Sequence, residues 1–176
     1  MTAPFKSSAD RRGGVYEITP SVTIEAPPAA VWARLVDVES WWVDSNPEHE
    51  SLEVLTDPPV LAEGTRLRVH ERIAGVPGVA EGAVTGFVPE ERVTWEAPRA
   101  RYRLFGLPVT VSEGVSWELE PADEGTTLTA RVWASFPAGP LGRLVEWGFD
   151  HLLDGVERDY AHAMRELRYL KGQLEA

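Results

Sequence analysis

The chain has 176 residues, a formal net charge of −11 and no cysteine. The negative charge repels phosphate backbones and anionic lipid surfaces, which argues against nucleic-acid binding and electrostatic docking on membranes. Without cysteine, disulfides, thiolate metal sites and cysteine nucleophiles are excluded. No apolar run approaches the ~20 residues of a membrane span, and the amino terminus lacks the apolar centre of a signal peptide. We therefore expect no membrane insertion and a cytoplasmic location.

The predicted elements begin after a polar, flexible tail over residues 1–14, and residues 15–176 are expected to form one domain. Apolar and polar residues alternate over Val15–Glu25, which predicts a half-buried strand. Two prolines end this strand and open a short helix over Ala29–Val38. A second short helix or turn carries the tryptophan pair Trp41-Trp42.

From residue 51 the hydrophobic period returns to two, and short turns rich in Gly, Pro and Asp separate six further strands. Short connections predict antiparallel neighbours. The predicted strands are Ser51–Leu55, Thr65–Ile73, Val79–Val88, Arg92–Ala97, Val109–Glu120 and Thr126–Phe136. The segment Ala100–Pro108 is either a lid with Gly106 as its pivot or a hairpin that joins two longer strands.

The last predicted element is one long amphipathic helix from Leu141 to Leu174, where apolar residues recur at three- and four-residue steps. One flank of its apolar stripe carries Gly148, Gly155, Asp159 and His162. Two glycines and two ionisable residues on a buried flank predict a cavity beside the helix. The element order predicts an α+β fold, in which a curved antiparallel sheet of about seven strands wraps around this helix. The two short helices after strand 1 close one end, and a cavity lies between sheet and helix.

Several motifs follow one another along residues 15–172 in a characteristic order. They are Val22–Trp32 with Asp37–Trp42, Gly64–Leu67, Phe87–Trp95, Trp117–Pro121 with Gly125–Thr129, and Arg165–Lys171. In this order the chain resembles START-related and polyketide cyclase/dehydrase-like (SRPBCC) proteins. The resemblance implies the helix-grip fold and a cavity that in relatives holds lipids, sterols, aromatic natural products or polyketide intermediates. Because the superfamily mixes carriers, receptors, regulators and cyclases, the resemblance does not decide the function.

Three carboxylates are predicted to point into the cavity. Strand parity places Glu71 and Glu113 on apolar faces, and Asp159 lies in the helical stripe. Each is either an acid–base or ligand-orienting group with a raised pKa, or a group near a strand end or the cavity mouth that is hydrated or paired with an arginine. His162 is either the acid–base partner of Asp159 or an exposed or capping histidine. Tyr160 either anchors a ligand carbonyl or packs in the core.

The seven tryptophans divide by parity. Trp95 and Trp117 are expected to form cavity walls, whereas Trp133 and Trp147 are expected to face outward and mark a partner surface such as a homodimer interface. Asp159, His162 and Glu71 are the candidate catalytic residues. The candidate ligand-binding residues are Trp95, Trp117, Glu113, Gly148, Leu152, Gly155, Tyr160 and Phe105.

No metal and no cofactor are predicted, because the histidines at positions 49, 70, 151 and 162 lack the spacing of a zinc centre and no phosphate-binding motif occurs. The first functional hypothesis is a module that binds a hydrophobic, aromatic or polyketide-like small molecule. The second is a cofactor-independent polyketide cyclase or dehydratase that uses cavity acid–base residues for aldol cyclisation or dehydration. The third is a stress-related protein that sequesters a partner through its surface tryptophans.

Overall fold

The computed structural model describes residues 10–12 and 14–176, and within them the chain has an α+β fold. The strands are β1 (Asp10–Arg12), β2 (Val15–Ile18), β3 (Ser21–Ile24), β4 (His49–Val54), β5 (Arg66–Ile73), β6 (Val76–Val88), β7 (Arg92–Leu104), β8 (Leu107–Ala122) and β9 (Gly125–Ser135). The helices are α1 (Pro28–Val36), α2 (Trp42–Ser45), α3 (Pro140–Leu153) and α4 (Gly155–Leu174), and a 3-10 turn (Val38–Ser40) precedes α2. None of these helices is long and apolar enough to cross a membrane.

All described strand pairs are antiparallel, in the order β1-β2-β9-β8-β7-β6-β5-β4. Strands β2 and β3 both pair with β9, so they are two halves of one strand interrupted near Pro20. The Pro20 carbonyl still accepts a hydrogen bond from the Ala130 amide at 2.9 Å. The predicted class is confirmed: a curved antiparallel sheet packs around a carboxy-terminal helix in the helix-grip arrangement.

The predicted tail over residues 1–14 is described only in part. Residues 1–9 and 13 lie outside the described residues. Residues 10–12 form β1, which pairs with β2 in the register Asp10↔Glu17. This short strand therefore extends the sheet where the sequence predicted a loose segment.

The segment Ala100–Pro108 is a hairpin, which was one of its two predicted forms. Strand β7 runs to Leu104, and β8 begins at Leu107 directly opposite it. Phe105 and Gly106 between them have φ values of 49° and 81°. Two consecutive positive φ values are typical of the tight type I′ turn, whose twist matches that of paired strands. The lid alternative is therefore wrong for this segment.

The predicted continuous helix over residues 141–174 is broken at Asp154. This residue has a left-handed backbone (φ 49°, ψ 41°), and its amide donates to the Phe149 carbonyl, which ends α3. Helix α4 starts at Gly155, where a Cβ would overlap the ring of Phe149. The break changes the helical register, so the flank of α3 no longer continues the flank of α4.

The main core lies between α4, α1 and the concave face of the sheet. Leu167 and Leu170 of α4 are at most 1% exposed and pack with sheet residues such as Leu128. Full burial of one such side chain contributes about 1.5–3 kcal/mol. A smaller cluster around Phe149 and Tyr16 packs α3 against the opposite end of the sheet. The space between the two clusters is where the candidate site lies.

Candidate functional site

A cavity of about 140 Å³ lies between the concave sheet and the carboxy-terminal helices. That is room for about ten water-sized spheres, on the order of 300 Å³ of ligand. Its walls are mainly apolar and aromatic. They include Trp42, Leu67, Val69, Val76, Trp95, Leu104, Val109, Val111, Trp117, Phe136, Val145 and Phe149. Polar side chains border it at Tyr16, Glu71, Tyr102, Glu113, Asp159, His162 and Glu166.

The first polar group in the wall is a buried pair on α4 and β2. The Tyr16 hydroxyl donates a hydrogen bond to Asp159 Oδ2 at 2.9 Å. Burial raises the pKa of Asp159 to about 6, although the positive charge of His162 and the bond from Tyr16 oppose this shift. Burial and the neighbouring Asp159 raise the pKa of Tyr16 well above its ordinary value. Asp159 therefore changes protonation state near neutral pH, as acid–base chemistry requires.

The second polar group joins three strands through one tyrosine. Tyr102 Oη lies 2.9 Å from Glu113 Oε2 and 3.3 Å from Glu71 Oε1. Burial raises the pKa of both carboxyls, and the charge of Glu71 raises the pKa of Glu113 further. The ring of Tyr102 fits because residue 78 is glycine, where a Cβ would overlap the ring. The single hydroxyl hydrogen of Tyr102 can serve only one of the two carboxyl groups at a time.

The third polar group is a cluster of two histidines and two glutamates. His49 Nε2 and His162 Nε2 are 2.9 Å apart, and Glu166 Oε1 lies 3.1 Å from the former and 3.3 Å from the latter. Burial lowers the pKa of His162, but Glu166 and Glu71 outweigh it and raise that pKa to about 10. Burial alone would raise the pKa of Glu166, yet hydrogen bonds with both histidines hold it at about 2. The cluster thus concentrates charge beside an apolar cavity.

Two indole groups in the cavity wall lack a hydrogen-bond partner among the described residues. Trp95 Nε1 and Trp117 Nε1 are buried donors without an acceptor, and both rings border the cavity. A buried donor that is left unpaired destabilises a protein by about 1–3 kcal/mol. An acceptor atom supplied by a ligand would remove that penalty.

Residues 16–169 match the sequence model of the family described as "polyketide cyclase / dehydrase and lipid transport". The chain belongs to this family. No curated protein matches it at a significant level. Among solved structures, this polyketide cyclase/dehydrase family member is similar to the Zhui aromatase/cyclase from Streptomyces sp. R1128, with a TM-score of 0.67, 20% identity, and coverage of 92% of this chain and 94% of that one.

Two further neighbours share the fold of this family member. A protein of Thermus thermophilus has a TM-score of 0.68 at 19% identity, with 90% of this chain and 97% of that chain covered. A START superfamily protein from Mycobacterium smegmatis has a TM-score of 0.60 at 16% identity, with coverage of 90% and 97%. At such identities the similarity establishes the fold, and the site has to be interpreted from its own residues.

The structure brings six of the sequence-predicted site residues of this family member to one cavity. They are Asp159, His162, Glu71, Glu113, Trp95 and Trp117. Trp133 also borders the cavity beside Gly114, although parity predicted that it faces outward. Trp147 is 48% exposed, in line with its predicted outward position.

The other five predicted ligand-binding residues lie outside the cavity lining, and their placement was wrong. Leu152 and Phe105 are 59% and 65% exposed. Gly148 faces the ring of Phe105, which would lie 3.7 Å from a Cβ at this position. Gly155 packs against the ring of Phe149. Tyr160 is half-buried in the smaller core cluster. For Gly148 and Leu152 the cause is the break at Asp154, which turns that flank of α3 away from the cavity.

Four polar residues of the site were not among the predicted ones, namely Tyr16, Tyr102, His49 and Glu166. Tyr16 shares the parity of buried Ile18, which is a usable signal. Glu166 follows Asp159 by seven positions and therefore lies on the same helical face. His49 contacts His162 across 113 positions of sequence, so only the tertiary fold reveals that pair.

Proposed function

We propose that this protein binds a flat, hydrophobic small molecule of the aromatic or polyketide type in the cavity between the sheet and α4. The observation that carries the proposal is the pair of unpartnered indole donors, Trp95 and Trp117, in an otherwise apolar wall. Apolar walls supply affinity through burial, and a few polar groups orient the ligand. A ligand carbonyl would accept a hydrogen bond from either indole.

The polar groups define the chemistry of the ligand further. The carboxylates of Asp159 and Glu113 accept hydrogen bonds, so they favour ligand hydroxyls, whereas the indoles favour ligand carbonyls. A molecule with both kinds of oxygen on a fused aromatic frame satisfies both sets. Polyketide-derived aromatics have this pattern, and the similar Streptomyces protein is named as an aromatase/cyclase.

A direct test begins with native mass spectrometry of the purified chain, which reports any ligand that co-purifies. The chain is then titrated with 1,8-dihydroxyanthraquinone, and quenching of tryptophan emission is followed. Replacing Trp117 by Phe removes one hydrogen bond and is expected to weaken binding by about tenfold. The matched control Trp147→Phe changes an exposed ring and is expected to leave the affinity unchanged. Equal affinities for all three proteins, or no saturable quenching, would refute the proposal.

A second candidate function is cyclisation of a polyketide, favoured by the buried pair of Asp159 and Tyr16. With a pKa of about 6, the Asp159 carboxylate can remove a proton from a carbon that lies between two carbonyls. The resulting enolate attacks a second carbonyl of the same chain, and protonated Asp159 gives its proton to the new alkoxide, which becomes a hydroxyl. In the dehydration the Asp159 carboxylate removes the remaining proton from the same carbon, the C=C bond forms, and the hydroxyl leaves as water with a proton from solvent. His162 and Glu71 lie in the same wall and complete the predicted catalytic set.

The enzyme hypothesis is tested with a linear poly-β-ketone thioester analogue and mass spectrometry of the product. Turnover predicts a product lighter by one water, formed faster than in buffer, and a loss of about 10²–10⁴-fold in rate for Asp159→Asn. Glu157→Gln changes an exposed acid on the same helix and is the matched control. If the wild-type chain binds the analogue but does not convert it, the binding function stands alone.

Two further predictions from the sequence remain proposals, namely a cytoplasmic location and a homodimer. The exposed ring of Trp147 on α3 is the predicted centre of a contact between two copies. Sedimentation velocity over a range of concentrations tests it, with Trp147→Ser expected to reduce association. A wild-type chain that stays monomeric at every concentration would contradict the homodimer.

A further inference from the structure

Four potential metal-ligand atoms converge at the end of the cavity next to α2. The nitrogens His49 Nε2 and His162 Nε2 form a near-equilateral triangle with Glu166 Oε1, whose sides are 2.9, 3.1 and 3.3 Å. Glu71 Oε2 lies 3.9 Å from both nitrogens. Donors around a tetrahedral zinc ion at 2.0–2.1 Å are separated by about 3.3 Å. The two histidine nitrogens lie within 4.8 Å of a Glu71 oxygen and within 3.3 Å of Glu166 Oε1, so an ion held between the histidines has carboxylate oxygens in reach as further donors.

Both imidazoles are oriented so that Nε2 is the ring nitrogen that can bind an ion in place of a proton. His49 Nδ1 lies 2.5 Å from the Trp42 carbonyl, which only accepts hydrogen bonds, so the ring proton sits on Nδ1. His162 Nδ1 lies 3.2 Å from the Glu48 carboxylate, with the same consequence. A second hydrogen bond from the other ring nitrogen to a carbonyl or carboxylate is the usual support of a metal-bound histidine. The Trp42 indole also stacks on His49 at 3.6 Å between ring centres and holds that ring in place.

Two ring nitrogens and a carboxylate oxygen thus face one another at 2.9–3.3 Å, a spacing that needs a cation between them, either a proton or a metal ion. A proton held by the His162 ring fills that role in the metal-free chain, and a metal ion would displace it. Without that proton, the two imidazoles and the carboxylates of Glu71 and Glu166 together carry two negative charges, which a divalent ion neutralises. The Glu71 carboxylate is oriented for metal binding as well. Its Oε1 contacts the Tyr102 hydroxyl, and its Oε2 therefore faces the histidines.

We propose that His49, His162, Glu166 and Glu71 form a site for a divalent first-row transition metal ion, with Zn²⁺ as the best match. Mixed imidazole and carboxylate donors are the ligands that such ions take. Three of the four residues border the cavity, whereas the His49 side chain is fully buried behind them. An ion there is reached from the cavity, and an oxygen of a ligand or a water would be its further donor. The spacing rule for zinc motifs missed this site, since the two histidines are 113 positions apart.

The test uses the full chain after metal removal with EDTA. Isothermal titration with Zn²⁺ is expected to give one ion per chain with a Kd below ~1 µM, and Co²⁺ is expected to give the intense visible bands of four- or five-coordinate cobalt. Glu166→Gln keeps the shape of a ligand and is expected to weaken Zn²⁺ binding by at least about 100-fold. Glu48→Gln removes the charge that supports His162, along with the ion pair to Arg158, and is expected to weaken Zn²⁺ binding by about 10–100-fold. The control His151→Gln removes an exposed histidine and is expected to have no effect.

A second measurement avoids any variant that fails to fold. In ¹⁵N spectra of the histidine rings, Zn²⁺ is expected to shift Nε2 of two of the four histidines, those at positions 49 and 162. No binding up to ~1 mM Zn²⁺, equal affinity in Glu166→Gln, or unmoved ring signals would overturn the proposal. Each of those results would mean that protons hold the cluster together. The anthraquinone titration is run on the metal-free chain, so failure of the metal site leaves the proposed ligand-binding function separately testable.

Discussion

Replacing Asp159 by Asn is expected to stabilise the protein, by an amount that depends on pH. Burial raises the pKa of Asp159 from 3.8 to about 6, so the folded state binds this proton more tightly than the unfolded state does. The wild-type chain therefore loses stability as the pH rises from about 4 to about 6, and the loss is complete above that range. A rise of about 2 in the pKa of Asp159, at 1.36 kcal/mol per pH unit, lowers the free energy of unfolding by ~3 kcal/mol above that pH range. Asn is neutral at every pH, and its Oδ1 still accepts the hydrogen bond from Tyr16.

The assay is urea unfolding of both proteins at a series of pH values between 4 and 8, with EDTA present to keep metal out of the neighbouring cluster. Asp159→Asn is expected to equal the wild type near pH 4 and to exceed it by ~3 kcal/mol at pH 8, or about 6–12 °C in Tm for a chain of this size. Glu157→Gln, an exposed acid on the same helix, controls for the change in net charge. A difference that does not vary with pH, or a less stable Asp159→Asn at pH 8, would refute this reasoning.

Three further substitutions test the carboxy-terminal helices by the same unfolding assay. Gly155→Ala is expected to lower the free energy of unfolding by about 1–3 kcal/mol, because its Cβ would overlap the ring of Phe149. Gly172→Ala in the same helix has nothing within 4 Å of the new Cβ and is expected to raise it by about 0.5–1 kcal/mol; changes of equal sign would contradict the packing argument. Asp154→Gly is expected to raise it by about 0.5–1 kcal/mol, since glycine adopts the left-handed backbone without strain. A lower Tm for Asp154→Gly would show that the aspartate side chain stabilises this turn.

The strands were predictable because one face of the sheet is buried along most of its length. In such a strand the alternation of apolar and polar residues specifies which side chains face inward. This alternation correctly predicted that Glu71, Trp95 and Trp117 border the cavity. The family resemblance rested on turns and strands in order, and the matching residues 16–169 bear it out. These features are local in sequence, and so periodicity and turn chemistry suffice to find them.

The helix break and the histidine pair escape the periodicity for different reasons. Helical periodicity continues through Asp154, and no proline marks the end of α3. The Asp154-Gly155 dipeptide is a typical turn signal, and it marks the break that the apolar periodicity does not reveal. His49 meets His162 across 113 positions of sequence, so only tertiary packing brings that pair together.

The turn at Asp154 also bears on how the cavity can exchange its contents. Helix α3 buries only Gly142, Gly148 and Phe149, while Leu141, Leu144 and Leu152 are exposed. Few buried apolar groups mean a low free energy of local opening, so amide hydrogens of α3 exchange faster than those in the buried turns of α4. Val145 and Phe149 form part of the cavity wall, and their departure with α3 uncovers the interior without breaking a single sheet hydrogen bond. Opening of this one helix would therefore widen the entrance to the cavity and ease both ligand entry and release.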